Sequence, residues 1–384
     1  MIYSISPKTK SIYIHWPFCP YKCHFCPFVA IAGQDRFMER YQKALNKELL
    51  NFAAQCEAPL KLDTIFIGGG TPSTWPCPLL LDTFATLRKI FDFNSTTEVT
   101  IEVNPGTVQI EQLQVWKNVG INRLSIGVQS LKDTVLKNLN RHQSKEEVFW
   151  VVHAASQVFE NLSIDLILGL PGISPDEWKE LLHTVVTWPI HHISIYFLTV
   201  HEETPLYFRV QKNEINLVPD ETMVNLYTWS ISFLEKHGFY QYEISNFSKK
   251  NYQSKHNTVY WDRKPYKGFG LGACSFDGSA RFQNQKNLMK YLTDIELDKE
   301  VTLFSELLTE KQVYLERIML GLRKKEGISL SEITDCLDSE QKQKIQQTVD
   351  LLAKHQFLNQ TNNKISLTAA GFAVQNDIAA RLSL

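Results

Sequence analysis

Three of the chain's seven cysteines fall within eight residues, in Cys19-Pro20-Tyr21-Lys22-Cys23-His24-Phe25-Cys26. Spacings of four and three bring all three sulfurs to one side of a tight helical turn. Zinc competes for such a turn, but a structural zinc site takes four ligands, usually as two matched pairs. Cys56, Cys77, Cys274 and Cys336 are isolated and supply no second pair. Three thiolates suit a [4Fe–4S] cluster with one iron left open, whereas a pure electron carrier usually supplies a fourth cysteine. Trp16, Phe18, Tyr21, Phe25 and Phe28 surround the loop and would shield a cluster from water. An odd cysteine count, spread so unevenly, fits a reduced cytoplasmic protein better than a disulfide framework.

Other side chains capable of chemistry stand singly along the next 150 residues. Gly68-Gly69-Gly70-Thr71-Pro72 is neither of the glycine patterns that cradle phosphates. Backbone without side chains does let a ligand come close. Glu102 offers a carboxylate and Gln129 an amide. Arg141, in Asn140-Arg141-His142, presents a planar fork suited to a carboxylate. Asp165 is an acid inside an apolar strand, a costly placement without a partner. Taken one at a time, each is better explained as a cap, a surface ion pair or a satisfied core group. Their common position relative to the elements decides otherwise.

Hydrophobic period predicts strands over residues 11–15, 64–67, 98–103, 122–128, 163–168 and 192–197. Helices are predicted over 36–55, 79–90, 108–117, 135–159 (broken near Arg141) and 176–186. This alternation implies parallel pairing through right-handed crossovers, with chemistry collected at the carboxyl ends of the strands. The cysteines, the glycines, Asn104-Pro105 and Gln129 follow strands one to four. The fold class is α/β: a partial (β/α)6 barrel with a mixed, mainly helical end. The expected units are a core over 1–200, an extension over 201–305 rich in aromatics, Asn and Gly, and a terminal region over 306–384. In the last, helices at 312–322, 330–336 and 341–355 precede a hairpin at 357–367 and a final helix at 369–382, a winged-helix-like order.

Composition closes off several functions. With 384 residues, 43% hydrophobic and 44 Phe, Trp and Tyr, the chain is not disordered. Forty basic against 41 acidic side chains argue against gripping nucleic acid by charge. Residues 311–384, with ten Lys and Arg against eight Asp and Glu, carry too weak a charge for a DNA-binding wing. No apolar run is long enough to span a membrane, and residues 1–10 lack the apolar core of a secretory signal.

The CxxxCxxC loop after a first strand, followed by GGGTP, resembles the signature of radical S-adenosylmethionine (SAM) proteins. Tyr13-Ile14-His15-Trp16-Pro17-Phe18-Cys19 and residues 66–73, 102–107, 120–130, 165–172, 194–205 and 242–247 resemble the oxygen-independent coproporphyrinogen III oxidase family within that superfamily. The resemblance implies a radical-SAM barrel with a [4Fe–4S] cluster on Cys19, Cys23 and Cys26. It implies SAM contacts from Tyr13, Phe25, Gly69, Gly70, Thr71, Glu102, Gln129, Arg141 and Asp165. Two departures separate the chain from the oxidases: Phe28 stands where they carry a further cysteine, and only 18 residues precede Cys19. Both match the HemW branch, whose members are haem chaperones, as does His256-Asn257-Thr258-Val259-Tyr260-Trp261 with that branch's HNxxYW pattern. The branch implies haem as cargo, held by His256 with Tyr260 and Trp261 packed on the macrocycle. It also implies a cytoplasmic protein without coproporphyrinogen oxidase activity, a reductant for the cluster, no nucleic-acid partner and room for a homodimer. Haem-accepting proteins, such as respiratory-chain membrane enzymes, would be its clients. Two alternatives stay open at this point: the oxidase itself, and a radical-SAM enzyme that modifies nucleic acid.

Overall fold

The computed structural model describes residues 9–335 and 337–383; the expectations for residues 1–8 and for Cys336 lie outside them. Six parallel strands stand side by side in chain order: β1 (Ser11–Trp16), β2 (Thr64–Gly69), β3 (Glu98–Val103), β4 (Arg123–Gln129), β5 (Leu162–Leu168) and β6 (His192–Phe197). Helices α1 (Met38–Ala53), α2 (Cys77–Ile90), α3 (Ile110–Val119), α4 (Asp133–Asn138), α5 (Lys145–Ser156) and α6 (Pro175–Val185) fill the crossovers. Alternation within each strand separates two environments. Ile12, Ile14, Ile65, Ile67, Ile101, Leu124, Ile126, Ile164, Leu166, Ile193 and Ile195 are completely buried in the main core. The intervening positions carry the hydroxyls and acids of the inner wall, Tyr13, Glu102, Ser125, Asp165 and Ser194 among them. Capping boxes at Ser144 with Glu147 and Ser174 with Glu177 fix where α5 and α6 begin. The break near Arg141 is real, with Asn140 in the left-handed region at φ 56° between α4 and α5.

Residues 201–305 supply strands to both edges of the same sheet. β8 (Asn246–Ser248) runs antiparallel beside β6, β7 (Tyr240–Gln241) pairs antiparallel with β8 at the outer edge, and β9 (Lys267–Phe269) runs parallel beside β1. The stretch also holds α7 (Pro205–Gln211), α8 (Asp220–Lys236), α9 (Lys255–Trp261) and α10 (Leu288–Glu296). A small antiparallel sheet is formed by β10 (Cys274–Phe276), β11 (Ala280–Asn284) and β12 (Thr302–Leu307). Its 17 residues make α8 the longest helix that the hydrophobic period did not reveal. Its Thr, Val, Asn, Trp and Ser are indifferent helix formers, and tertiary packing overrides them. Trp178 of α6, for example, donates to Ser230 Oγ at 2.9 Å.

The last region has α11 (Glu310–Gly321), then β13 (Ile328–Ser329), α12 (Leu330–Thr334) and α13 (Ser339–Lys354). β14 (Leu358–Thr361) and β15 (Lys364–Leu367) form the hairpin, with β15 central in a three-stranded sheet. The final helix is two pieces, α14 (Ala369–Ala373) and α15 (Gln375–Leu382). Among the described residues no helix is long and apolar enough to cross a membrane.

Candidate functional site

The loop after β1 carries Cys19 and Cys23 buried and Cys26 half-buried, all three with free thiols. It is tied down from both sides. Asn140 Nδ2 donates to the Lys22 carbonyl at 2.8 Å, Tyr21 Oη to the His142 carbonyl at 3.0 Å, and His24 N to the Leu139 carbonyl at 2.9 Å. The left-handed turn at Asn140 is what lets residues 139–142 grip the loop. Arg141 Nη1 lies 3.8 Å from Cys23 Sγ, while Nη2 and Nε hold the Gly127 carbonyl at 2.5 Å and Gln143 Oε1 at 2.9 Å. Burial pushes the Cys19 thiol up to about 11, although a hydrogen bond shared with Thr71 Oγ1 at 3.0 Å pulls the other way. Among the described residues no three His, Cys, Asp or Glu side chains converge on one ion position. A cube takes its thiolates on separate irons, so three sulfurs sharing one loop fit it without converging on a point.

The glycine run meets its own chain. A side-chain carbon on Gly69, at φ 119°, would come within 2.7 Å of the His15 ring, and one on Gly70 within 2.5 Å of the Pro17 carbonyl. These glycines let β2 pass close under the cysteine loop, where Gly70 N donates to the Trp16 carbonyl and Thr71 N to that of Phe18. Thr71, expected at SAM, spends its hydroxyl on Cys19.

Glu102 ends β3 with Oε2 accepting from Gly69 N at 3.1 Å. Burial first, and the neighbouring Asp165 second, push its carboxyl up to about 8. Burial also raises Asp165, held back by hydrogen bonds from Ser194 and Ser125 and by the charges of Arg123 and Arg141. Ser125 Oγ reaches both Asp165 oxygens, at 3.0 and 3.3 Å. Gln129 ends β4 with φ 62°, at a register shift against β5. A left-handed glutamine at a strand end is stored strain of the kind found at functional sites. Tyr196, near the end of β6, is 42% exposed, and its phenol is raised by burial and by the neighbouring acids Asp165, Glu243 and Glu102. Sequence reasoning missed Tyr196, Ser125, Ser194 and Asn140; inward alternation on strands four to six was the available signal for the first three.

Tyr13 faces the same interior and stacks on Phe66 with ring centres 6.2 Å apart. Its hydroxyl donates to His15 Nδ1 at 3.0 Å, because His15 Nε2 must donate to the Val29 carbonyl at 2.7 Å. Phe25 is half-buried against a small cluster that includes Leu136, Leu139 and Leu206.

His256 lies elsewhere. It is completely buried and hydrogen-bonds Thr64 Oγ1 through Nδ1 at 2.8 Å and Tyr260 Oη through Nε2 at 2.8 Å. Its backbone N donates to Glu98 Oε1 at 3.0 Å, and its ring stacks on Phe66. Thr64 and Glu98 begin their strands, so α9 closes the end of the barrel opposite the cysteines. Burial drives the imidazole down to about 3. The residue expected as an iron ligand thus has both ring nitrogens engaged by Thr64 and Tyr260 and is completely buried. Tyr260 is committed to His256, and Trp261 carries the Arg323 guanidinium 4.3 Å over its ring, joining α9 to the terminal region.

A model of the Radical SAM superfamily matches residues 13–185, and one of the HemN C-terminal domain matches residues 308–374. A Bacillus subtilis protein named heme chaperone HemW is 34% identical over 373 residues, covering 96% of this chain and 98% of its own. A Synechocystis protein of the same name is 33% identical over 330 residues, covering 84% and 79%. A Danio rerio protein named radical S-adenosyl methionine domain-containing protein 1, mitochondrial, is 30% identical over 328 residues, covering 83% and 74%. Among solved structures, the coproporphyrinogen III oxidase HemN of Escherichia coli, described as a radical SAM enzyme, aligns with a TM-score of 0.85. At 24% identity, over 99% of this chain and 91% of that one, it speaks for the fold alone.

Proposed function

Because the chain belongs to the HemW family of radical SAM proteins, we propose that it binds haem and hands it to haem proteins, on a scaffold that holds a [4Fe–4S] cluster and SAM. The observation that carries this reading is the near full-length likeness to HemW, joined to Phe28 at the position where the oxidases place a further cysteine. Phe28 is 65% exposed on the cysteine loop, an apolar side chain that offers no thiol.

Cys19, Cys23 and Cys26 would hold the cluster; Glu102, Gln129, Arg141 and Asp165, with Tyr13 and the backbone of Gly69 and Gly70, would hold SAM. Together these cofactors supply one-electron chemistry, the cluster as donor and the sulfonium as acceptor. The chain's own residues do the positioning. Thr71 fixes the Cys19 sulfur, and Arg141 bridges the cysteine loop to the end of β4. Glu102 holds a proton at neutral pH and gives it up when an ammonium group comes alongside, which turns a costly buried acid into an ion pair. Cytoplasmic residence, a reductant for the cluster, haem-protein acceptors such as respiratory enzymes and a homodimer belong to the same proposal.

The test is a parallel experiment on one anaerobically reconstituted sample. Haem titration should give a saturable complex, and incubation with SAM, reductant and coproporphyrinogen III should leave that substrate unchanged. SAM-dependent conversion to protoporphyrinogen IX would replace this reading with the oxidase.

A further inference from the structure

We propose that the cavity between α1, β9 and the small antiparallel sheet binds an apolar ligand bearing carboxylates, which on the preceding reading is the haem cargo, held by its macrocycle and propionates. The cavity encloses about 530 Å³ and its lining is mainly apolar, with Phe52, Phe269, Phe276 and Phe282 among the walls. That size lies inside the range of roughly 300–1,000 Å³ usual for small-molecule sites.

Its polar feature is Lys267. The side chain leaves β9 on the same side as Phe269, and Nζ lies 5.5 Å from the Phe269 ring centre and 6.0 Å from that of Phe52. Among the described residues no carboxylate comes within ion-pair distance of Nζ and no acceptor hydrogen-bonds to it. Burial pulls its pKa down, and Glu48 and Glu300 hold it up only from further off. Glu48 is already committed, accepting from Gly270 N at 2.8 Å, Asn284 Nδ2 at 2.7 Å and Tyr291 Oη at 2.7 Å. A half-buried ammonium on a phenyl-lined wall, with no carboxylate of its own chain at that distance among the described residues, is free to pair with a carboxylate of a ligand in the cavity.

The other charges at the cavity fit one orientation. Lys299 lines it as a second cation. Asp298 is drawn to Lys47 at 2.8 Å, and Asp277 is used by the turn at Ser279 and Ala280, leaving Glu300 as the acid beside the lysines. Two cations beside an aromatic pocket match a flat macrocycle with two propionates on one edge. Thr9, which leads into β1, lines the cavity, so it opens at the strand starts, away from the cysteines. It also accounts for haem binding without His256, whose nitrogens are taken.

The experiment uses the full reconstituted protein, titrated with haem, with iron-free protoporphyrin IX and with haem dimethyl ester, which lacks free carboxylates. Wild type should bind the first two alike and the ester about tenfold more weakly, one charge-assisted hydrogen bond being worth about that factor. Lys267→Gln should weaken haem about tenfold, leave the ester where it was, and keep the cluster absorbance. Asn51→Trp, on an exposed turn of α1 at the cavity, should block all three porphyrins while the protein remains folded. If wild type and both variants bind haem equally, the cavity is not the site although the chaperone reading stands. If wild type binds no haem, both readings fail together.

Discussion

The two ends of one barrel handle buried polarity in opposite ways. At the base, His256, Thr64, Tyr260 and Glu98 form a closed set in which each named group has a partner from this chain; among the described residues nearby, Arg123 Nε, Thr100 Oγ1 and Trp261 Nε1 are buried without one. At the mouth, Glu102 receives a single backbone N–H, is raised to about 8, and stands against a second raised acid, Asp165, beside the strained Gln129. A closed set is architecture. An acid raised to about 8 that accepts from one backbone N–H is placed to pair with a cation, since a positive group alongside would recover what burial costs it.

The largest effects are expected at the cysteines. Cys19→Ser, Cys23→Ser and Cys26→Ser should each lose the cluster's iron, acid-labile sulfide and visible absorbance; an unaltered iron content in all three would remove the assignment. Next comes Glu102→Gln, which should weaken SAM binding by about 10- to 100-fold, the worth of a buried charge-assisted contact, while iron content stays at the wild-type level. Equal SAM affinity would place the ammonium elsewhere. Wild-type SAM affinity should also rise with pH towards 8, because Glu102 must lose its proton to pair, and fall beyond it, because the ligand's own α-ammonium, with a pKa of about 8, then loses its charge. Isothermal titration across pH 6–9 reads this directly.

The smallest effect is at the base. His256→Gln should lower the melting temperature by a few degrees, since about 1–3 kcal/mol follows from leaving buried partners unpaired. It should not alter SAM affinity. The folded chain keeps His256 near 3 and His15 near 4, both below their ordinary 6.5, so it excludes protons that the unfolded chain takes up. That stability is complete above about pH 6.5 and falls as pH drops towards 4 and then 3. Denaturation of His256→Gln should therefore depend less on pH over this interval, and a slope as steep as wild type would contradict the closed set.

Most of the barrel was legible because apolar alternation and capping signals agree, from Ile12 and Ile14 to Ser174 with Glu177. The cysteine loop was legible for the same kind of reason: local spacing is chemistry. What the sequence hid was long-range. Nothing in GGGTP announces that Thr71 serves Cys19, or that the glycines are needed to clear His15 and Pro17. Nothing in HNTVYW announces Thr64, nearly 200 residues away in the chain, as the partner of His256. Helix α8 was hidden by residues whose own preferences are weak and whose burial supplies the helix. Strands β8 and β9 are three residues each and carry no period of their own.

A carrier of haem must give it up to an acceptor, and handover can be watched. The reconstituted protein is loaded with haem, freed of excess, and mixed anaerobically with an apo-haem protein while the acceptor's Soret band is followed. Direct delivery requires transfer at a rate that rises with acceptor concentration. A rate independent of the acceptor, equal to spontaneous haem loss, would contradict it.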